Sequence, residues 1–259
     1  MYQDYAAQQL ANRLVQHYGR IPRQNGSQKP IKRCLVSRLG GECVCGKRAS
    51  LLTVWHVALA GGPGSGKSTL ASAVADKVTQ QHVKCGVISI EGFMKPKSAF
   101  SSPQEVQKRG TLESFDGDAV VEMFKTLRAR GPGHELRVPA FDEEKGDPVP
   151  DAQLIEADSE AVVFEGLWLL ADREPWKQIE EFVDEKWYIH VRPELTRERV
   201  ASRRVQKGIC RSMEEALKSY DEFDAKNAEF MDKNRYHTDI IIEANEEMAI
   251  REDDGKYLK

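Results

Sequence analysis

Apolar positions along this chain switch between two spacings, and the switching predicts the architecture. Ala6, Leu10, Leu14 and Tyr18 recur every four residues and predict a helix over 2–18. Val57 to Ala60 is an unbroken apolar run within a strand predicted over 54–60. A helical pattern follows over 67–81, then a strand over 83–90, a short helix over 102–109 and an amphipathic helix over 118–130. In that last helix Val121, Met123, Phe124 and Leu127 are the apolar positions. Leu136 to Val138 predicts a short strand leading into Pro139-Ala140-Phe141-Asp142, and Asp147-Pro148-Val149-Pro150 predicts a turn. Further strands are predicted at 161–164, 186–191 and 239–242, and helices at 176–183, 193–207 and 213–234. Strands that alternate with helices predict an α/β fold, a parallel β-sheet flanked by helices on both faces.

Two stretches break the pattern. Residues 19–53 are rich in Gly, Pro, Ser, Asn and Gln, and carry eight basic side chains from Arg20 to Arg48 against the single acid Glu42. They read as a disordered insertion between an N-terminal helix (1–18) and the main domain (54–245). Residues 246–259 read as a charged, frayed tail. At 259 residues, 40% hydrophobic, the chain can bury a core as one large domain with additions. A net charge of −3 exerts no general pull toward nucleic acid or membranes. No apolar run approaches the ~20 residues of a membrane span. The cysteines, Cys34, Cys43, Cys45, Cys85 and Cys210, are odd in number and scattered. They suit a reducing compartment, and the cytoplasm is the expected location. A homodimer is compatible with all of this.

The chemistry gathers at Gly61-Gly62-Pro63-Gly64-Ser65-Gly66-Lys67-Ser68-Thr69, which fits the G-x-x-x-x-G-K-[ST] phosphate loop. A glycine turn from strand to helix aims several backbone N–H groups at one point, and the helix N-terminus adds partial positive charge. Lys67 would reach the β- and γ-phosphates, and the Ser68 hydroxyl would hold a magnesium ion. The alternative is a chance glycine turn, against which strand, loop and helix all agree.

In a parallel sheet, ligands bind outside the carboxyl ends of the strands. Glu91 and Glu165 are both predicted at such ends. Glu165 could complete the metal site begun by Ser68, and Glu91 could accept a proton from an attacking hydroxyl. Arg192, Arg197, Arg199, Arg203 and Arg204 crowd the segment around the 193–207 helix. They could form a closing lid that meets phosphoryl charge, or simply a solvated basic face. Arg109 could hold a polar or anionic substrate, with ordinary surface charge as the alternative.

Taken together these segments resemble the phosphoribulokinase/uridine kinase family of P-loop small-molecule kinases, across residues 54–243. Glu91-Gly92-Phe93-Met94 stands where that family has Asp-Gly-Phe-His. Arg109-Gly110-Thr111-Leu112-Glu113-Ser114-Phe115-Asp116 is similar to its Lys/Arg-Gly-x-Pro-Glu-Thr-Phe-Asp segment. Pro139 to Asp142, Glu165-Gly166, Arg197-x-Arg199-x-x-x-Arg203 and Asp224-x-x-Asn227-Ala228 also match. The resemblance implies a P-loop NTPase fold with an arginine-bearing helical lid. It implies a kinase that uses ATP and Mg2+ to phosphorylate a hydroxyl of a small molecule, with no role for nucleic acid or membrane. By position, Lys67, Glu91, Arg199 and Arg203 would be catalytic, and Arg197 would bind ATP with the loop. Ser68 and Glu165 would hold the metal, and Phe93, Arg109, Phe115 and Phe141 would shape the acceptor pocket. Two departures stand out: the base position is Glu91, one methylene longer than Asp, and the usual histidine is Met94.

Overall fold

A computed structural model describes residues 2–19, 54–106, 108–130, 133–245 and 247–253. The predicted insertion at 19–53, with Cys34, Cys43 and Cys45, lies outside these apart from Gly19. In chain order the strands are β1 (Trp55–Gly61), β2 (Cys85–Ser89), β3 (Leu136–Asp142), β4 (Asp147–Ile155), β5 (Ala161–Glu165), β6 (Glu185–His190), β7 (Ile240–Ala244) and β8 (Met248–Glu252). The helices are α1 (Tyr2–Gly19), α2 (Lys67–Gln80), α3 (Pro103–Val106), α4 (Gly117–Arg130), α5 (Pro193–Gln206), α6 (Met213–Ser219) and α7 (Ala225–Asn234).

Six strands form one sheet in the order β2-β5-β1-β6-β7-β8, and all neighbouring pairs but the last are parallel. A parallel strand must bury both faces, which explains the unbroken apolar run in β1. Val57 and Leu59 point to one face and meet Leu10 and Leu14 of α1 and Leu70 and Val74 of α2. Ala58 and Ala60 point to the other, which is covered by Phe124 of α4, Trp176 and Met231 of α7. The N-terminal helix is therefore part of the core layer. No described helix is long and apolar enough to cross a membrane.

Three expectations change. The turn predicted at 147–150 is the start of β4, which pairs antiparallel with β3 in a separate two-stranded sheet. Its prolines misled because proline lacks an N–H, a loss that only an edge strand tolerates. The predicted tail at 246–259 contains β8, antiparallel to β7. Met248 and Ile250 pack against the α1 face, and Arg251 bonds Glu243 at 3.1 Å. Beyond β8, the Asp253 side chain is fully buried against Arg235. A two-residue alternation with only two apolar members was hidden among charges. The helix predicted at 213–234 is continuous but carries a π-helical segment, Tyr220–Asp224, between α6 and α7.

His56 of β1 sits in the core, edge-on to Phe124 and Phe164, and its Nδ1 bonds the Phe182 carbonyl at 3.1 Å. Burial, reinforced by the Arg128 charge, lowers its pKa from 6.5 to about 3. The unfolded chain therefore binds a proton near pH 6.5 that the folded chain refuses, and stability drains as pH falls below that value. Replacing the imidazole removes this term. The stability difference between wild type and His56→Leu should shift in favour of the variant by about 2 kcal/mol between about pH 7.5 and pH 5. Urea unfolding at the two pH values measures this; an unchanged difference would mean that His56 is not buried neutral.

Candidate active site

The loop Gly61 to Thr69 runs from the carboxyl end of β1 into α2, between β5 and β6. Gly66 caps α2 with φ +90°, a conformation that side-chain-bearing residues rarely adopt. Nothing lies within 4 Å of where its Cβ would be, so the helix N-terminus is open to a ligand. Lys67 folds back along the loop, and its Nζ bonds the Gly62 carbonyl at 3.2 Å.

Two carboxylates meet this loop from the neighbouring strands. β2 and β5 pair with Ser89 opposite Glu165. Glu165 therefore ends its strand at the loop, and Glu91 lies two residues past Ser89 in a single 3-10 turn, Ile90–Phe93. Glu165 is 2% exposed and accepts a bond from the Ser68 hydroxyl at 3.2 Å. Its other oxygen, Oε2, is buried with no hydrogen-bond partner. A buried, half-satisfied carboxylate beside an exposed serine hydroxyl fits a magnesium ion, which takes a few protein oxygens and fills its remaining positions with water or phosphate.

Each carboxylate is followed by a glycine with no room for a Cβ where it stands. A Cβ on Gly92 would lie 2.0 Å from the Pro139 carbonyl oxygen of β3, and one on Gly166 would lie 2.0 Å from the Ile90 side chain. Gly92 thus packs backbone to backbone on the β3–β4 hairpin and Gly166 packs on the Ile90 side chain, which braces the turns that carry Glu91 and Glu165.

Burial pulls the Lys67 ammonium below its ordinary value; Glu165 and then Glu91 oppose this, and Arg203 adds to it. Burial, with the Glu165 charge, pushes the Glu91 carboxyl up, against Lys67 and Arg203. Glu91 is exposed to the cleft by its surface area, so water softens that shift. The four groups share one field. They line or adjoin a cavity of about 590 Å³ bounded by the loop, Met94, Phe115 and the π-helical segment.

The other predicted residues divide. Arg203 and Phe115 line this cavity. Arg109 reaches it too, but its guanidinium is bonded to Asp147 at 2.8 Å and the Gly146 carbonyl at 2.6 Å, over the Phe141 ring. Phe93 is buried in the core. Arg197 is held by both oxygens of Asp221, at 2.7 and 2.6 Å. Arg199 lies apart, in a second cavity of about 360 Å³ on the other side of the loop with Asn245 and Gln3.

Sequence reasoning missed Phe223, which the π-helical segment turns into the main cavity, and the fixing of Arg204 there by Asp224 at 2.8 Å. A π turn adds a residue to the helical period. No sequence period marks it, so these side chains could not be placed in advance.

A parallel sheet, a phosphate loop at its carboxyl edge and an arginine-bearing helix across the cleft define a P-loop kinase. The chain belongs to the phosphoribulokinase/uridine kinase family, whose model matches residues 56–251. It is 34% identical over 198 residues to C227.14 of Schizosaccharomyces pombe, provisionally named a uridine kinase; the match covers 72% of this chain and 82% of that one. It is 33% identical to the uncharacterised Escherichia coli protein YggC, over 74% of this chain and 78% of that one. Among solved structures, the D-glycerate 3-kinase of Cryptococcus neoformans superposes with a TM-score of 0.63 at 13% identity, covering 96% of this chain and 99% of that one. YFH7 from Saccharomyces cerevisiae superposes at 0.67 with 19% identity, over 75% and 93%. At such identities the structures speak to fold alone.

The glycine after Glu91 gives a direct test of this geometry. Gly92→Ala must displace backbone, and should cost about 1–3 kcal/mol or more. Gly86→Ala, in β2 with nothing within 4 Å of its Cβ, should lie within about 1 kcal/mol of wild type. Equal unfolding midpoints for the two variants would contradict the packing described.

Proposed function

We propose that this protein transfers the γ-phosphate of ATP, with magnesium, to a hydroxyl of a small metabolite. The observation that carries the reading is that Lys67, Ser68, Glu91 and Arg203 line one cavity at the loop, with Glu165 behind Ser68 and bonded to it. The two cavities share Gly64, Gly66 and Thr69. A nucleoside triphosphate would lie across the loop, with its nucleoside beside Arg199 and Asn245 and its γ-phosphate in the larger cavity.

The acceptor hydroxyl oxygen then attacks the γ-phosphorus. The bond from that phosphorus to the β–γ bridging oxygen breaks, ADP leaves, and the hydroxyl proton passes to the Glu91 carboxylate. Burial raises the proton affinity of Glu91, which suits a base that must take this proton. Lys67 and Arg203 would meet the charge spread over the transferring oxygens. Magnesium, bound through Ser68 and Glu165, would neutralise phosphate charge.

The acceptor is nucleoside-, pantothenate- or sugar-like. The names of relatives and neighbours include a provisionally named uridine kinase, a D-glycerate 3-kinase and a provisionally named fructose transport system kinase, which set the first compounds to try. A second reading rests on Glu91 and Met94, the positions that depart from the family pattern. It is an ATP-binding regulator with impaired catalysis, or an NTPase without an acceptor.

ATP consumption against a panel of uridine, pantothenate, D-glycerate and fructose separates these. Acceptor-dependent turnover supports the kinase, acceptor-independent turnover the NTPase, and ATP binding without turnover the regulator. Lys67→Ala should abolish turnover. Glu91→Ala should lower transfer by about a hundredfold or more and spare ATP binding. Because the base must be ionised, wild-type kcat/KM should fall as pH drops, with a midpoint above the ordinary 4.5 of a glutamate. Full activity in Glu91→Ala would remove Glu91 from the mechanism.

A further inference from the structure

β2 is an edge strand, and its last residue, Ser89, turns both backbone groups outward. They do not go to water. The Ser89 N–H donates to the Gln153 Oε1 at 2.9 Å, and the Ser89 carbonyl accepts from the Gln153 Nε2 at 2.9 Å. The same Nε2 donates to the Pro139 carbonyl at 2.6 Å. A side-chain amide carries its donor and acceptor on one planar group, as a peptide does, so Gln153 stands in for one peptide unit of a missing strand.

The position of this clamp matters. Pro139 falls where the β3–β4 register shifts, between Val138 and Ala140. Its carbonyl is the atom against which Gly92 packs without room for a Cβ. Ser89, in turn, caps the next turn: its hydroxyl accepts from the Glu91 N–H at 3.3 Å. Gln153 therefore holds both walls of the two-residue step from β2 to Glu91, the strand end on one side and the hairpin bulge on the other.

We propose that Gln153 is a positioning residue for Glu91: its amide fixes Ser89 and Pro139, and through them the turn that aims the Glu91 carboxylate at the phosphate loop. The inference rests on the reading of Glu91 as the base. A base misplaced by about 1 Å can lose on the order of a hundredfold in rate. The extra methylene of Glu91 makes such anchoring matter more here, since a longer side chain reaches more wrong positions.

The experiment uses Gln153→Met, close in shape but without hydrogen bonds, and Ser89→Ala, which removes only the cap and serves if the first variant folds poorly. Amide hydrogen exchange is read across the chain in the absence of acceptor. Exchange at Glu91, Gly92 and Phe93 should quicken at least tenfold in the variants, with β1 and β5 unchanged. ATP turnover, with water or the best compound of the panel as acceptor, should fall ten- to a hundredfold, with KM for ATP within twofold. Adding Gln153→Met to Glu91→Gln should cost nothing further, because the clamp acts only through Glu91.

Unchanged exchange at 91–93 overturns the proposal, and so does uniform quickening across the sheet. Losses that multiply in the double variant overturn it as well. Exchange decides alone where turnover is too slow to read. If Glu91→Gln by itself keeps full transfer, the base assignment fails, while the exchange result still reports whether the clamp holds the turn.

Discussion

The site depends on a lysine in the phosphate loop whose charge is offset by two carboxylates at the carboxyl edge of the sheet. Lys67 is drawn from water by the loop around it, and Glu165 and Glu91 restore part of its lost stabilisation. Two like charges at one edge repel each other, so their positions need support from the backbone. Here each is followed by a tightly packed glycine, Gly92 on the Pro139 backbone and Gly166 on the Ile90 side chain. The electrostatics of the site are thus a product of backbone packing. A polyanion that enters the cavity meets Lys67, Arg203 and the open N-terminus of α2. A divalent cation held by Ser68 and Glu165, as proposed, would offset the charge of Glu165 beside it.

The rest of the fold serves this edge. Burial on both faces of β1 fixes where the loop begins, and α1 and α2 lock one face while α4 and α7 lock the other. The β3–β4 hairpin lies outside the main sheet but abuts its edge strand through Gln153. It also anchors Arg109 at its tip through Asp147. The hairpin is therefore tied both to the proton-accepting side of the proposed site and to a wall of the cavity. Arg197 and Arg204 hold helix α5 to the π-helical segment, while Arg203 faces the main cavity.

Much of this was legible in the sequence because it depends on local patterns. The loop spacing, the apolar strands and the carboxylates at their ends all follow from short-range rules, and Lys67, Ser68, Glu91 and Glu165 come together at one edge as those rules imply. What stayed hidden depends on partners far along the chain. Arg109 looked available, but Asp147, at the base of a strand disguised by two prolines, takes its guanidinium. Arg197, Arg199 and Arg203 looked like one lid cluster, yet the pitch of α5 sends one to Asp221, one to the smaller cavity and one to the larger. Phe93 looked like a pocket wall beside Glu91 and is instead core. β8 escaped because charged letters surrounded Met248 and Ile250.

The central claim is that Ser68 and Glu165 form a cation site that couples the loop to the sheet. Calorimetric titration of ATP, with and without magnesium, into wild type and Glu165→Gln tests it most directly. The account predicts that magnesium strengthens ATP binding in wild type and that Glu165→Gln loses most of this gain. Metal-free ATP should bind the variant at least as well as wild type, because a carboxylate facing the phosphates is gone. An identical magnesium effect in the two proteins would contradict the account.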